Sequence, residues 1–360
     1  MGRLTRRVTL ADVARAAGVA PSTASLAFSG SGQVSPGARE RVLAAAAELG
    51  YAGPDPVARS LRSGRSGVVA VVVGERLGYA FRDPVMVQFL DGLSEELGHL
   101  DANMLLVAGE AALPAPAPGR TAGLPMDAAV ISDCGVASGD LVTALQRRGV
   151  PVVGVDHRPA DGVPVVGIDD VGATRELVGH LLNLGHRELG VVTLPLRLDG
   201  HRGVLDDASV AARGCEAGVA VQRLTGVRAA LAGRPDVRVT VVETAGNVVE
   251  EGELAASALL GGPGPRPTAL VAQSDVLALG CLRAASARGL AVPRELSVAG
   301  FDGVDLHLFD GTELTTVVQP AREKGVEAGR VVTALLAGGA PADVTLPVRV
   351  RPGTTTAPPP

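Results

Sequence analysis

"VTLADVARAAGVAPSTASLAF", residues 8–28, holds two helix signals separated by a glycine. Thr9 stands where a helix N-cap is wanted, and Leu10, Val13, Ala14 and Ala17 recur behind it at helical spacing. Gly18 stops that helix. Pro21 opens the next, to about Phe28, because its fixed φ suits the first helical position and its missing N–H is not needed there. Ser35-Pro36 repeats the signal ahead of "ARERVLAAAAELG", a third amphipathic helix closed by Gly50. Three short helices, the first two joined by a tight glycine turn, predict a helix-turn-helix unit over residues 1–52.

Charge sets this head apart from the rest of the 360 residues. Residues 1–66 carry nine Arg against four acids, a net +5, so a chain of net −5 leaves −10 for the remainder. A basic head on an acidic body implies a polyanionic partner for the head alone. The second helix itself is neutral, with the nearest arginines outside it at Arg15 and Arg39. Residues 53–66, "GPDPVARSLRSGRS", combine prolines, glycines and arginines around a segment too short to hold as a helix in water by itself. That stretch reads as a hinge which folds against a partner.

From Val68 onward, Val-rich runs of strand length alternate with helix-length stretches: 68–73, 103–109, 127–132, 151–156, 164–169, 188–194, 237–244, 268–273 and 296–302 are the expected strands. Continuous apolar strands between helices imply parallel sheets covered on both faces, and this much chain predicts two α/β lobes. Residues 112–125 read as a surface loop and 352–360, "PGTTTAPPP", as a frayed tail. The cysteines (134, 215, 281) are far apart and suit a reducing compartment. Neither a signal segment nor a membrane-length apolar run is evident, so the expected location is the cytoplasm, with no membrane partner.

In this order the blocks resemble the lactose-repressor (LacI/GalR) family of bacterial transcription regulators. The likeness rests on 8–25, "VSPGARERVLAAAAELGY" (34–51), "PVARSLRSGRSG" (56–67), "LGHRELGVVT" (184–193), "RPTALVAQSDVLALGCLRA" (266–284), "VPRELSVAGFDGVDL" (292–306) and "LTTVVQP" (314–320). It implies a three-helix DNA-binding domain, a hinge helix at 53–66 and a two-lobed, periplasmic-binding-protein-like effector and dimerisation domain at 67–360. The first lobe is expected at about 67–168 plus 319–340, the second at about 169–318 plus 341–356.

By this resemblance Pro21, Ser22 and Leu26 read bases in the major groove, while Thr9, Thr23, Ser25, Ser29 and Gln33 contact the backbone. Many members carry Arg where this chain has Leu26. An arginine makes a bidentate contact to guanine and a leucine offers only apolar contact, so the family's usual operator does not carry over. Leu61 is the expected minor-groove wedge of the hinge, with Val57 and Ala58 beside it. The implied effector contacts are Asp156, Arg223, Asn247, Ser274, Asp302 and Gln319, with Tyr79 and Phe81 at the cleft mouth and Phe301 next to Asp302.

Competing chemistry is weak. His180 and His186 lie six apart, on different helical faces, and no metal or cofactor is expected. The neighbouring carboxylates of "GIDDVG" (167–172) mark a lobe crossover rather than an acid/base pair. No nucleophile–base or phosphate-loop signature is present. The expectation is a repressor that binds a pseudo-palindromic double-stranded operator as a homodimer, without a tetramerising tail, under control of a small metabolite, a sugar or relative. A soluble sugar-binding receptor is the main alternative, and an enzyme on the same scaffold a second.

Overall fold

The computed structural model describes residues 8–29, 34–53, 64–74, 77–109, 119–132, 138–213, 218–305 and 311–360. They divide into two units, met at Gly67 and Val68. Gln33 and the hinge positions Val57, Ala58 and Leu61 lie outside the described residues, as do Cys134 and Cys215 and the side chains of Ser29 and Tyr79.

The first unit is three helices, Leu10–Ala16, Pro21–Ser29 and Pro36–Leu49. Thr9 and Asp12 close the first helix with a reciprocal capping box, which satisfies two of the amides that a helix start leaves open. Gly18 turns the chain at φ 64°, where a Cβ would be strained. Val13, Ala14, Ala17, Ala24, Ala27, Val42, Ala45 and Ala46 form the core. With alanines this small the helices approach closely, and the edge-to-face pair Phe28–Tyr51, centroids 5.8 Å apart, closes one side.

The second unit holds two sheets. The first uses β1 (Val68–Val73), β2 (Asn103–Ala108), β3 (Ala128–Ser132), β4 (Val152–Val155), β5 (Val165–Ile168) and β12 (Val344–Leu346), all parallel, in the order β12-β5-β4-β3-β1-β2. The second uses β6 (Glu188–Thr193), β7 (Gly203–Leu205), β8 (Arg238–Glu243), β9 (Ala269–Ala272), β10 (Ser297–Asp302), β11 (Thr315–Val318) and β13 (Arg349–Arg351), in the order β13-β11-β10-β9-β6-β8-β7. Its edge strands β7 and β13 are antiparallel to their neighbours. Each sheet is covered on both faces, as Val-rich strands require: in β1, Val69, Val71 and Val73 face one core and Ala70 and Val72 the other.

The chain passes between sheets after β5, after β11 and after β12. The last passage lies beyond Leu346, so the first lobe reaches further than the expected boundary at 340. The cause is that β12 extends the parallel ladder through Val344, Thr345 and Leu346 on β5. Helices Pro84–His99 and Ala321–Leu336 cross at glycines: a Cβ on Gly325 would lie 2.0 Å from the Phe89 carbonyl oxygen, and one on Gly92 equally close to that of Arg322.

Two expectations fail. The tail is packed rather than frayed: Val298 donates to the Thr355 carbonyl (2.9 Å), Thr355 Oγ1 donates to Val298 O (2.7 Å), and His186 Nε2 meets Ala357 O at 2.9 Å. Its three threonines supply the donors and acceptors that let a proline-rich end join a sheet margin. Of the loop expected at 112–125, residues 112–118 lie outside the described residues, and in the turn that follows Thr121 and Ala122 are buried instead of lying on the surface. His180 and His186 prove to be parts of this joint, His180 Nε2 lying 3.0 Å from Thr356 Oγ1. Among the described residues no group of three or more His, Cys, Asp or Glu could hold a metal.

Candidate functional site

In the head, Ala24 and Ala27 of the second helix point into the core, while Pro21 and Ser22 are exposed and Ser25 and Leu26 half-buried. At 100° per residue, positions 22, 25, 26 and 29 fall on the face opposite that core. Thr23 is half-buried. The Thr9 hydroxyl donates to Asp12 Oδ2 at 2.7 Å, so a phosphate contact by Thr9 competes with its own cap.

In the body, a cavity of about 450 Å³ lies where the carboxyl ends of both sheets meet. Strand ends place its polar groups: Ser132 ending β3, Asp156 after β4, Ser274 after β9, Asp302 ending β10 and Gln319 after β11. Asp156 and Asp302 both have positive φ, 62° and 125°. Such backbone costs on the order of 1–3 kcal/mol in a non-glycine residue and persists where the surroundings hold it.

These groups form one chain across the lobes. Lys324 Nζ donates to Asp156 Oδ1 (2.5 Å) and to Gln319 Oε1 (2.8 Å). Gln319 Nε2 donates to Asp302 Oδ1 (2.6 Å). The Arg223 guanidinium stands 3.6 Å from the same oxygen, donates from Nε to Asp170 Oδ1 (2.8 Å) and from its other arm to the Gln273 carbonyl, and lies 3.6 Å above the Phe301 ring. Asn247 accepts from Ser274 Oγ at 2.5 Å, and that same hydroxyl caps helix Asp275–Ala287.

Burial pushes the Asp302 carboxyl well above the usual carboxylate range, against the pull of Arg223. Asp170 and Asp83 are raised by the same cause. Burial opposes the charge on Arg223, but Asp170 and Asp302 outweigh it and raise its pKa. Burial thus works against charge on three carboxyls around one firmly charged guanidinium.

Much of the remaining lining is apolar, Val73, Met86, Phe89, Val155, Leu196 and Val219 among it, with Asp83, Arg197 and Asp199 as further charged groups. One wall comes from an arm that leaves the sheet after β6, with β7 and helix Asp207–Arg213 in it, and from Gly218–Val221. The buried Glu243 carboxylate pins it, accepting from Leu196 N (2.8 Å) and Arg213 Nε (2.9 Å) and pairing with His201 Nδ1 (2.8 Å).

The structure brings six of the sequence-chosen residues to this cavity: Asp156, Arg223, Asn247, Ser274, Asp302 and Gln319. Phe81 is not in its lining and is 63% exposed. The short helix Leu77–Ala80 turns the chain so that Ala80, Asp83 and Met86 reach the cavity and Phe81 points away. Phe301 lies beneath Arg223 instead of facing the space. Sequence reasoning missed Asp83, Lys324 and the arm. Lys324 had a legible signal, a charge on the buried stripe of Ala321, Gly325, Ala328 and Val332.

Two family models match: "Bacterial regulatory proteins, lacI family" over residues 9–53 and "Periplasmic binding protein-like domain" over 178–356. The chain is 40% identical to an HTH-type transcriptional regulator of Mycobacterium tuberculosis, over 98% of each chain. It is similar to the solved transcriptional regulator CelR in complex with cellobiose (26% identity, TM-score 0.67, 97% of this chain and 100% of that one). The fold is also that of the lac repressor dimer bound to operator and the anti-inducer ONPF (24% identity, TM-score 0.75, 98% and 100%). With the capped helix-turn-helix head and the two-lobed body in hand, these likenesses show that the chain belongs to the LacI family, as an HTH-type transcription regulator and not an enzyme.

Proposed function

We propose that the protein is a repressor that binds a pseudo-palindromic operator as a homodimer in the cytoplasm and is controlled by a small neutral polyhydroxylated metabolite, a sugar or close relative, held between the lobes. The observation that carries this reading is the cavity: amide, carboxylate and guanidinium groups from both lobes converge at the carboxyl ends of two parallel sheets, the place where open α/β sheets bind ligands. Such a mixture of donors and acceptors suits hydroxyl groups. Asn247 and Gln319 supply amides, Asp156 and Asp302 acceptors, and Arg223 donors.

In the head, Pro21, Ser22 and Leu26 are proposed to meet bases, with Thr23, Ser25, Ser29 and Gln33 on phosphates, and Leu61 of the hinge is proposed to wedge between base pairs in the minor groove with Val57 and Ala58 beside it. A two-fold operator needs two heads, so the dimer is the minimum functional state. Val204 (67% exposed) and Leu254 (58%) on the second lobe offer apolar surface of the kind that subunits bury.

A screen of neutral sugars by thermal melting tests the effector reading. A ligand at about a hundred times its Kd adds roughly 2.7 kcal/mol and shifts the melting point. By linkage the same sugar must alter DNA affinity by the factor by which DNA alters its own. A sugar that stabilises the protein and leaves DNA binding untouched contradicts the proposal.

A further inference from the structure

Lys324 is a lysine where the helix buries its apolar stripe, between Ala321 and Ala328 and next to Gly325, and it is 2% exposed. Lysine is almost never this buried unless its charge is paired. Here two of its three ammonium donors are spent among the described residues, on Asp156 Oδ1 and Gln319 Oε1. Both partners line the cavity and so does Lys324 itself. Arg223, the neighbouring cation, is instead tied down by Asp170, the Gln273 carbonyl and the Phe301 ring. Lys324 thus keeps a donor for whatever enters, and Arg223 has far less to give.

Around it stand the carboxylates of Asp83, Asp156 and Asp302, with Asp170 behind Arg223. Against these four the buried cations are two. Burial already disfavours charge on Asp83, Asp170 and Asp302, and a phosphorylated or acidic ligand would add like charge beside them in a desolvated space, where it is costly. The group that faces Lys324 must be a hydrogen-bond acceptor without charge of its own sign: an ammonium there would sit against another ammonium.

We propose that Lys324 is the specificity-determining residue of the cavity, donating its remaining N–H to a hydroxyl or ether oxygen of an uncharged polyol and turning away the amino analogue. The inference rests on the effector reading of the cavity. Its particular consequence is a change of preference: without the lysine charge Asp156 loses its cation, and a protonated amine becomes the better guest.

The test titrates wild type, Lys324→Met and Lys324→Gln with three matched pairs, glucose and glucosamine, galactose and galactosamine, mannose and mannosamine, and with glucose 6-phosphate, reading Kd by calorimetry and folding by the unliganded melting curve. Wild type should bind a neutral hexose more tightly than its amine and should reject the phosphate. In Lys324→Met the ratio of amine to neutral affinity should rise by about tenfold or more, about 1.4 kcal/mol. Lys324→Gln, which keeps a donor without charge, should hold the neutral sugar better than Lys324→Met does, and it serves as the folded comparison if the Met variant does not fold. A lysine that only supported the fold would weaken both members of a pair alike. A neutral hexose bound by wild type with the preference ratio unmoved in both variants overturns the role of Lys324 and leaves the effector reading standing. Failure of wild type to bind any of the three neutral hexoses overturns both.

Discussion

Arg223 is held on four sides, by Asp170, Asp302, the Gln273 carbonyl and the Phe301 ring, so its removal is a structural event before it is a functional one. Breaking a buried ion pair by deleting one partner costs on the order of 3–5 kcal/mol, because the other charge stays behind. Arg223→Ala should therefore lower the melting temperature sharply, whereas Asn247→Ala, which loses hydrogen bonds to Ser274 and Asp83 and no ion pair, should lower it far less; equal melting of the two would refute this account of Arg223. Asp275 gives a prediction in pH. Burial pushes its carboxyl up to about 7, while Thr316 and the Val304 amide donate to it. A carboxyl raised on folding contributes its full stability below its unfolded pKa, 3.8, and loses it as the pH climbs through about 7. Asp275→Asn does not titrate, so its melting temperature should gain on that of wild type as the pH rises from about 4 to about 7 and hold a level gap above that; a constant gap across the range would show that Asp275 does not titrate there. In the head, Leu26→Arg introduces a residue able to contact guanine bidentately, worth roughly 1–3 kcal/mol of discrimination. Sites selected in vitro by the two proteins should differ. Identical site preferences would mean that residue 26 does not face the bases.

Among the elements, the last segment gives the sharpest expectation. Deleting residues 354–360 removes the backbone bond from Val298 to Thr355, the Thr355 hydroxyl bonds to Val298 O and from the Thr315 amide, and the grip of His186 on Ala357. At roughly 1 kcal/mol for each net hydrogen bond, plus the polar groups left open, several kcal/mol should be lost from the second lobe. Unchanged melting after this truncation would mean that the tail is as loose as its composition suggests. That composition is why the tail misled: prolines read as unstructured, and nothing local tells that three threonines face the open ends of β10 and β11. The long apolar strands were legible, because burial on both faces leaves a continuous Val-rich run. The three-residue strands β7, β12 and β13 were not, since their pairing comes from neighbours distant in sequence. The cavity divides likewise. Residues at strand ends in recognisable blocks, such as Asp302 and Gln319, could be named, while Asp83 was legible only as a helix cap. The stretches 194–213 and 218–221 carry no periodic signal, and the first is held in place by the pairing of β7 with β8 and by Glu243.

In the whole molecule a helix-turn-helix head is joined to a two-lobed body with a cavity lined from both lobes. Hydrogen bonds from Asp156 through Lys324 and Gln319 to Asp302, and the ion pair of Asp302 with Arg223, link the two lobes, so the proposed ligand would touch both at once. Sedimentation at micromolar concentration should show a dimer, and a monomer would leave a two-fold operator without its second head. The central claim, that this chain reads DNA sequence through two heads, is tested most directly by selecting bound sites from a random duplex library with the full-length protein. The account predicts one enriched motif with two-fold symmetry, whose affinity falls steeply with salt and whose half-sites change together in Leu26→Arg. Recovery of no motif, or of a single unpaired half-site that Leu26→Arg leaves unaltered, would contradict it.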